Sequence, residues 1–277
     1  MSVLSISLGP VALPVGPLVL LAAVGAAAWL ASRLAAAGDD KASVGAAGNT
    51  VVNAALFGLL AARLVHLALN ASAYLASPGS ALDLRDGGWN ALAGVFAGAA
   101  WLGLRGLRVP ALRWPLGSGA LAGAALWLAA SLATGLGQTR TMPALTLTAF
   151  DGGLAVDLVQ AARGRPVVVN LWASWCGPCR QEMPMLAAAQ QREGRVGFLF
   201  VNQGESASAV RAYLADQGLP LREVLLDPGS KLGPAVGSRG LPTTLFYDAH
   251  GRQVDSHFGV LNAAALESRL RTLRADP

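Results

Sequence analysis

The 277-residue sequence predicts an α-helical membrane bundle of about four transmembrane helices followed by an α/β domain. Three observations carry that prediction. Composition changes near residue 137: residues 1–137 hold seven Lys/Arg and four Asp/Glu, whereas residues 138–277 hold fourteen and twelve. The first part contains stretches of about 20 apolar residues, the length a spanning helix needs. The second part alternates buried strand patterns with helical ones, as a sheet covered on both faces requires. A domain boundary at 137, with a linker at about 138–143, follows.

The first span is Val11–Ala31, which carries no charge. A cleaved signal peptide is the competing reading, but the ten preceding residues lack the Lys or Arg of a signal n-region. The second span runs from about Thr50 to Ala76 and contains Arg63 and His66. The third, about Gly87–Leu104, is short and glycine-rich, and the fourth is about Trp114–Gly137. Orientation follows from the positive-inside rule. Arg33, Lys41, Arg105, Arg108 and Arg113 lie on one side, against Arg85 and Arg140 on the other. The count puts both termini outside and the second half in the periplasm, as in a multi-pass protein of the bacterial inner (cytoplasmic) membrane.

The overall charge of +5 divides into +3 and +2 between the two halves, with no basic run of five residues. That excludes a nucleic-acid partner and leaves membrane lipids as the surroundings of the first half. Arg63 inside a span is costly and must face the bundle, a wet cavity or the interface. Two readings stand: contact with a lipid headgroup or anion, or structural pairing with the Asp83/Asp86 loop or backbone carbonyls.

In the second half, Arg165–Ser174 reads as a buried strand and about Gly177–Gln191 as a helix. Val196–Asn202 reads as a second buried strand and Ser206–Gln217 as a helix. "TTLFYD" and "RQVDSHFG" form a hairpin, and a last helix covers about Asn262–Arg274. Both cysteines of the chain, Cys176 and Cys179, fall between the first strand and the first helix. A zinc site would need four ligands, and the chain offers His66, His250 and His257 only. A structural disulfide over so short a separation closes almost no loop and hardly restrains the unfolded chain. No metal is expected. A redox dithiol remains, with the helix N-terminus favouring the thiolate.

"NLWASWCGPCRQEMP", "FVNQGES" and "GLPTTLFYDAHG" together resemble the thioredoxin superfamily, and within it the membrane-tethered TlpA/ResA-type branch, over about residues 144–274. The resemblance implies an α/β thioredoxin-like domain and a thiol–disulfide oxidoreductase acting on protein disulfides, with no cofactor beyond the Cys176–Cys179 pair. It implies that Cys176 attacks and the more buried Cys179 resolves, that Gly177 and Pro178 set the turn between them, and that Trp175 flanks the pair. Pro242 would be a cis-proline beside the cysteines, and Leu241 would offer backbone groups to an extended substrate. Pro184 matches a helix-kinking proline. Trp172 reads as core. Thioredoxin's buried acid is replaced by Asn170, and Glu182 stands where the branch has an acid near the second cysteine. There it would raise the thiol pKa or exchange a proton, the alternative being a solvated helix glutamate.

The sequence "CGPC" and the TlpA/ResA resemblance point to reduction, the alternatives being a periplasmic disulfide oxidase or isomerase, or a lipid-transferase or lipid-binding membrane module with an accessory thioredoxin domain. Reduction in an oxidising compartment needs electrons, and the chain has no third cysteine to relay them. A separate transmembrane electron donor of DsbD/CcdA type is expected. Clients would be disulfides such as those of apocytochrome c haem-site or copper-site cysteines.

The first half has its own resemblance. "SISLGPVALPVGPLVLLAAVGAAAWLASRLA", "LLAARLVHLALN" and "LRDGGWNALAGV" are similar to prolipoprotein diacylglyceryl transferase over roughly residues 5–110, with Arg63 at that family's arginine. Here Asp86-Gly87-Gly88 leads into Trp89 and Asn90 without the family's His-Gly pair, and the later signature is absent. A catalytically dead bundle, kept as anchor or platform, is expected.

Overall fold

The structure is a computed structural model and describes residues 5–8, 11–37, 42–135, 140–162 and 164–275. Lys41, the 137 boundary and residues 138–139 of the expected linker lie outside the described residues. Two compact units emerge. One is helical and comprises Val15–Ala71 and Gly88–Leu136. The other contains the second half of the chain together with the N-terminal segment up to Pro14 and the segment Ser72–Gly87.

In the helical unit, α1 spans Val15–Ala36, α2 Ala42–Leu69, α4 Ala91–Arg108 and α5 Arg113–Thr134. The expected spans need correction at several edges. Val11–Pro14 form a strand, so α1 starts at Val15. α2 ends at Leu69, and Ala71–Ala76 form a separate short helix, α3. Three helical stretches are long and apolar enough to cross a membrane: Val15–Ala36, Gly45–Leu69 and Pro110–Thr134. α4, the expected third span, is a helix of 18 residues and does not join that set, because Arg105 and Arg108 in its last turn lower its hydropathy.

Small residues bring these helices together, as in lipid, where backbone approach replaces hydrophobic drive. A Cβ on Gly123 of α5 would lie 2.9 Å from the Ala23 carbonyl oxygen of α1, and one on Gly119 2.6 Å from that of Ala27. Gly58 of α2 faces the Gly94 carbonyl oxygen of α4 at 2.8 Å by the same measure. Asn90 caps α4 by accepting from the Ala93 N–H at 2.9 Å. Large apolar side chains such as Leu21, Trp29 and Phe96 point outward.

The redox-bearing unit is built on one mixed sheet. β3 is Arg140–Thr141, β4 Thr146–Ala149, β5 Ala155–Asp157, β6 Val167–Trp172, β7 Gly197–Gln203, β8 Val224–Asp227, β9 Thr243–Tyr247 and β10 Arg252–Phe258. Their spatial order is β3-β10-β9-β6-β7-β8-β4-β5. β6 pairs parallel with β7 and antiparallel with β9. With helices α7 (Gly177–Arg192), α8 (Ala207–Asp216) and α10 (Ala263–Ala275), this is a thioredoxin-like α/β fold. β6 is buried at every residue because both its faces meet core. Val168 and Trp172 pack with Met183, Leu186, Phe200 and Leu270 on one side. Val167, Val169 and Leu171 pack with Leu199, Leu245 and Tyr247 on the other.

Four strands of this sheet were not expected: β3 at one edge, and β4, β5 and β8, which extend the sheet beyond β7. Within the expected linker, Arg140–Thr141 form β3 and pair with Arg252 and Gln253 of β10. A small separate hairpin, β1 (Ser5–Leu8) with β2 (Val11–Pro14), also belongs to this unit. Its Ser5 Oγ accepts the Arg239 N–H at 2.9 Å.

Candidate active site

β6 leads into a short loop, and α7 begins immediately after Cys176. Cys176 is the N-cap: its sulfur accepts the Cys179 N–H at 3.2 Å, so the first free helix donors surround it. Pro178 sits at the start of α7, where a missing N–H costs nothing. Gly177 has no neighbour within 4 Å of where a Cβ would stand. The two sulfurs are joined in a disulfide, with Cα atoms 5.2 Å apart. Cys176 is 5% exposed and Cys179 0%. The expected order of accessibility holds, but Cys176 is far less open than an exposed helix end suggests. Trp175, by contrast, is 70% exposed beside it.

The loop before Cys176 is held from the neighbouring strand. Glu205, just past β7, accepts from the Ser174 N–H at 2.7 Å, from the Ser174 hydroxyl, and from Asn202 Nδ2 at 2.6 Å. Sequence reasoning singled out the segment "FVNQGES" but gave Glu205 no role. The Leu241–Pro242 peptide bond is cis, as the resemblance implied. Leu241 is half-buried against both core clusters, and the Pro242 carbonyl accepts the Gly259 N–H at 3.0 Å. Pro184 lies inside α7. Trp172 is fully buried, 5.5 Å from the Tyr213 ring, in keeping with a core role.

Glu182 is no solvated helix glutamate: it is 1% exposed, one turn along α7 from Cys179. Its Oε1 accepts from Asn170 Nδ2 at 2.8 Å and its Oε2 from the Leu261 N–H at 2.7 Å. Asn170 Nδ2 also reaches Thr244 Oγ1 at 3.0 Å. Burial raises the Glu182 pKa from 4.5 to about 7, and the two hydrogen bonds offset only part of that rise. Thr244 and Leu261 were invisible in the sequence, because Thr244 meets Asn170 only through sheet pairing and Leu261 meets Glu182 only through the turn before α10.

Elsewhere, Arg63 is 5% exposed; its Nη1 donates to the Gly88 carbonyl at 2.9 Å and its guanidinium lies 5.7 Å from the Trp89 ring centre. Among the described residues no group of three His, Cys, Asp or Glu side chains could hold a metal.

The redoxin family model matches residues 137–272. The chain is 34% identical over 112 residues to the thiol:disulfide interchange protein HelX of Rhodobacter capsulatus, covering 40% of this chain and 62% of HelX. It is 32% identical over 132 residues to the thiol:disulfide interchange protein DsbE of Pseudomonas fluorescens biotype C, covering 47% of this chain and 72% of that protein. A solved thioredoxin-family thiol:disulfide interchange protein from Chlorobium tepidum TLS matches 48% of this chain and 97% of its own at 24% identity, with a TM-score of 0.41. The family model and the likeness to DsbE, with a dithiol at a helix N-terminus, agree: through its second half the chain belongs to the redoxin family of thiol:disulfide interchange proteins.

Proposed function

We propose that the chain is a membrane-anchored, periplasm-facing thiol–disulfide reductase for protein clients. The observation that carries this reading is the Cys176–Cys179 pair at the start of α7 with the buried Glu182 carboxyl one turn behind it. In the reduced state the Cys176 thiolate, favoured by the helix N-terminus, attacks one sulfur of a client disulfide. The Cys176–client bond forms, and the client's other sulfur leaves as a thiolate. Cys179 then passes its proton to Glu182 and attacks Cys176 Sγ. The client's first sulfur leaves, two electrons have moved to the client, and the pair is oxidised. A carboxyl with a pKa of about 7 accepts and releases a proton at neutral pH.

Re-reduction needs an external dithiol, because this sequence supplies no further cysteine. We assign that role to a separate transmembrane donor of DsbD/CcdA type. The thioredoxin-like "CGPC" supports the reducing direction, and apocytochrome c or copper-site cysteines are the client chemistry it fits. Nothing in the cycle calls for a cofactor beyond the dithiol. Exposed Trp175 and the Leu241 backbone would receive the client segment.

The arrangement of segments supports the topology. β1–β2 precedes α1, Ser72–Gly87 lies between α2 and α4, and the thioredoxin-like fold follows α5; all three belong to one compact unit. Segments of one unit lie on one side of a membrane. An even number of crossings must therefore separate them, α1 with α2 and α4 with α5. On this reading α4 is the third of four crossings despite its modest hydropathy, and the positive-inside count puts the unit outside. The helical unit is then the anchor, in contact with lipid, and its likeness to a diacylglyceryl transferase is that of a relic without catalytic histidine.

Client capture tests the reading. A Cys179→Ser variant should accumulate mixed disulfides through Cys176, since attack proceeds and resolution is blocked. Cys176→Ser should trap almost none. Equal trapping by both variants would contradict the assigned roles.

A further inference from the structure

Ser72–Gly87, between α2 and α4, packs onto the redox fold at the turn Val260–Asn262 and on α10. Asp86 is fully buried: its carboxylate accepts the Tyr74 hydroxyl at 2.7 Å and its carbonyl accepts from Arg269 Nη1 at 3.2 Å. Gly87 has φ +74°, and a Cβ there would stand 2.7 Å from Arg269 Nη2 and 3.6 Å from His257 Nδ1. Asp83 Oδ2 accepts from Asn262 Nδ2 at 3.4 Å. Only glycine allows the backbone to come this close in this conformation.

The groups that receive this segment also hold the turn. Arg269 is fixed by Asp255 at 2.7 Å and lies 5.6 Å from the Phe246 ring centre. His257 is 5% exposed and its Nε2 donates to the Val260 carbonyl at 3.1 Å, which leaves Nδ1 as the lone-pair side toward Gly87. Asn262 Oδ1 caps α10 by accepting from the Ala265 N–H at 2.9 Å. Between Val260 and Asn262 stands Leu261, whose N–H donates to Glu182 Oε2 at 2.7 Å.

The geometry points to residues 83–87 as a positioning element for the buried acid: by gripping the Val260–Asn262 turn, this segment of the membrane half fixes the Leu261 N–H that stabilises ionised Glu182. The inference rests on Glu182 as the proton acceptor of the proposed cycle. A carboxylate in an apolar site depends on each donor it keeps, so loosening one donor favours the protonated form. Glu182 is faced by Asn170 of β6 and Leu261 of the turn, Cys179 stands three residues before it on its own helix, and no charged side chain shifts it. Around the turn lie His257, Arg269, Asp255, Asp86 and Asp83. Burial, and then Arg269, push the His257 pKa below 6.5, so His257 is neutral where Glu182 titrates.

The test uses the full chain in lipid nanodiscs. Gly87→Val drives a side chain into Arg269, whereas Gly152→Val imposes similar strain (φ +87°) with no neighbour within 4 Å. Asp83→Ala removes the Asn262 acceptor, together with the Asp83 carboxylate's contacts to Arg85, without placing a side chain against Arg269, and serves if Gly87→Val fails to fold. Hydrogen exchange at the Leu261 amide should quicken about tenfold in Gly87→Val and by less in Asp83→Ala. The acid-side pH midpoint of thiol–disulfide exchange, set by ionisation of Glu182 as proton acceptor, should rise with it, and Gly152→Val should change neither. An unchanged Leu261 amide would overturn the inference, as would a loosened amide with an unmoved midpoint. Glu182→Gln in the otherwise native chain tests the acid's role separately, so the two failures are distinguishable.

Discussion

A carboxyl group 1% exposed, with two donors and no cation to stabilise its charge, holds its proton into the neutral range. This has a consequence for stability with a definite sign. In the unfolded chain Glu182 ionises near 4.5, whereas in the folded chain it does so near 7. Between those values the native state binds a proton that the unfolded state has released, so this group makes stability fall as pH rises. The contribution is absent below pH 4.5 and complete above 7, where it amounts to about 3 kcal/mol against folding. Glu182→Gln should flatten this part of the stability–pH curve, leaving the variant more stable than the native chain at pH 8, while client reduction slows severalfold. Thermal denaturation from pH 4 to 8 alongside exchange rates checks both. A curve that keeps its slope in the variant would place the titrating group elsewhere. The acid type at this position was legible in "CRQEMP"; its burial was not, because Asn170, Thr244 and Leu261 come from three distant parts of the chain.

At the scale of elements, the sequence signals were strongest where one segment is buried on both faces. β6 and β7 lie within a residue or two of the expected runs, and α7, α8 and α10 end where their patterns end. Edge elements were harder to read: β4 and β5 are short, and their burial is mixed. β1–β2 was hidden inside an apolar run, since four strand residues before a spanning helix look like its first turn. α4 shows the limit of hydropathy alone. Arg105 and Arg108 lower its average, while its small residues let Gly94 and Gly98 meet Gly58 and Ala54 of α2. On the proposed topology α4 crosses, so alkaline phosphatase fused after Val109 should be inactive and fused after Pro277 active. Activity at both sites would mean that α4 does not span.

For the whole molecule, composition changes near residue 137, but the compact units do not follow that change. β1–β2 and Ser72–Gly87, both written in the apolar half, are built into the redox unit. No local pattern announces this, because the docking depends on single polar contacts such as Ser5 with Arg239 and Asp86 with Arg269. The chain's central property is the direction in which its dithiol moves electrons. The most direct measurement is the reduction potential of the Cys176–Cys179 pair in the full chain at pH 7, by equilibration with defined thiol–disulfide buffers. A reductase should lie near the thioredoxin range, about −220 to −270 mV, and remain reduced only while an external donor supplies it. A value near −120 mV, with rapid oxidation of reduced test peptides, would contradict the reductase assignment and make the protein an oxidant.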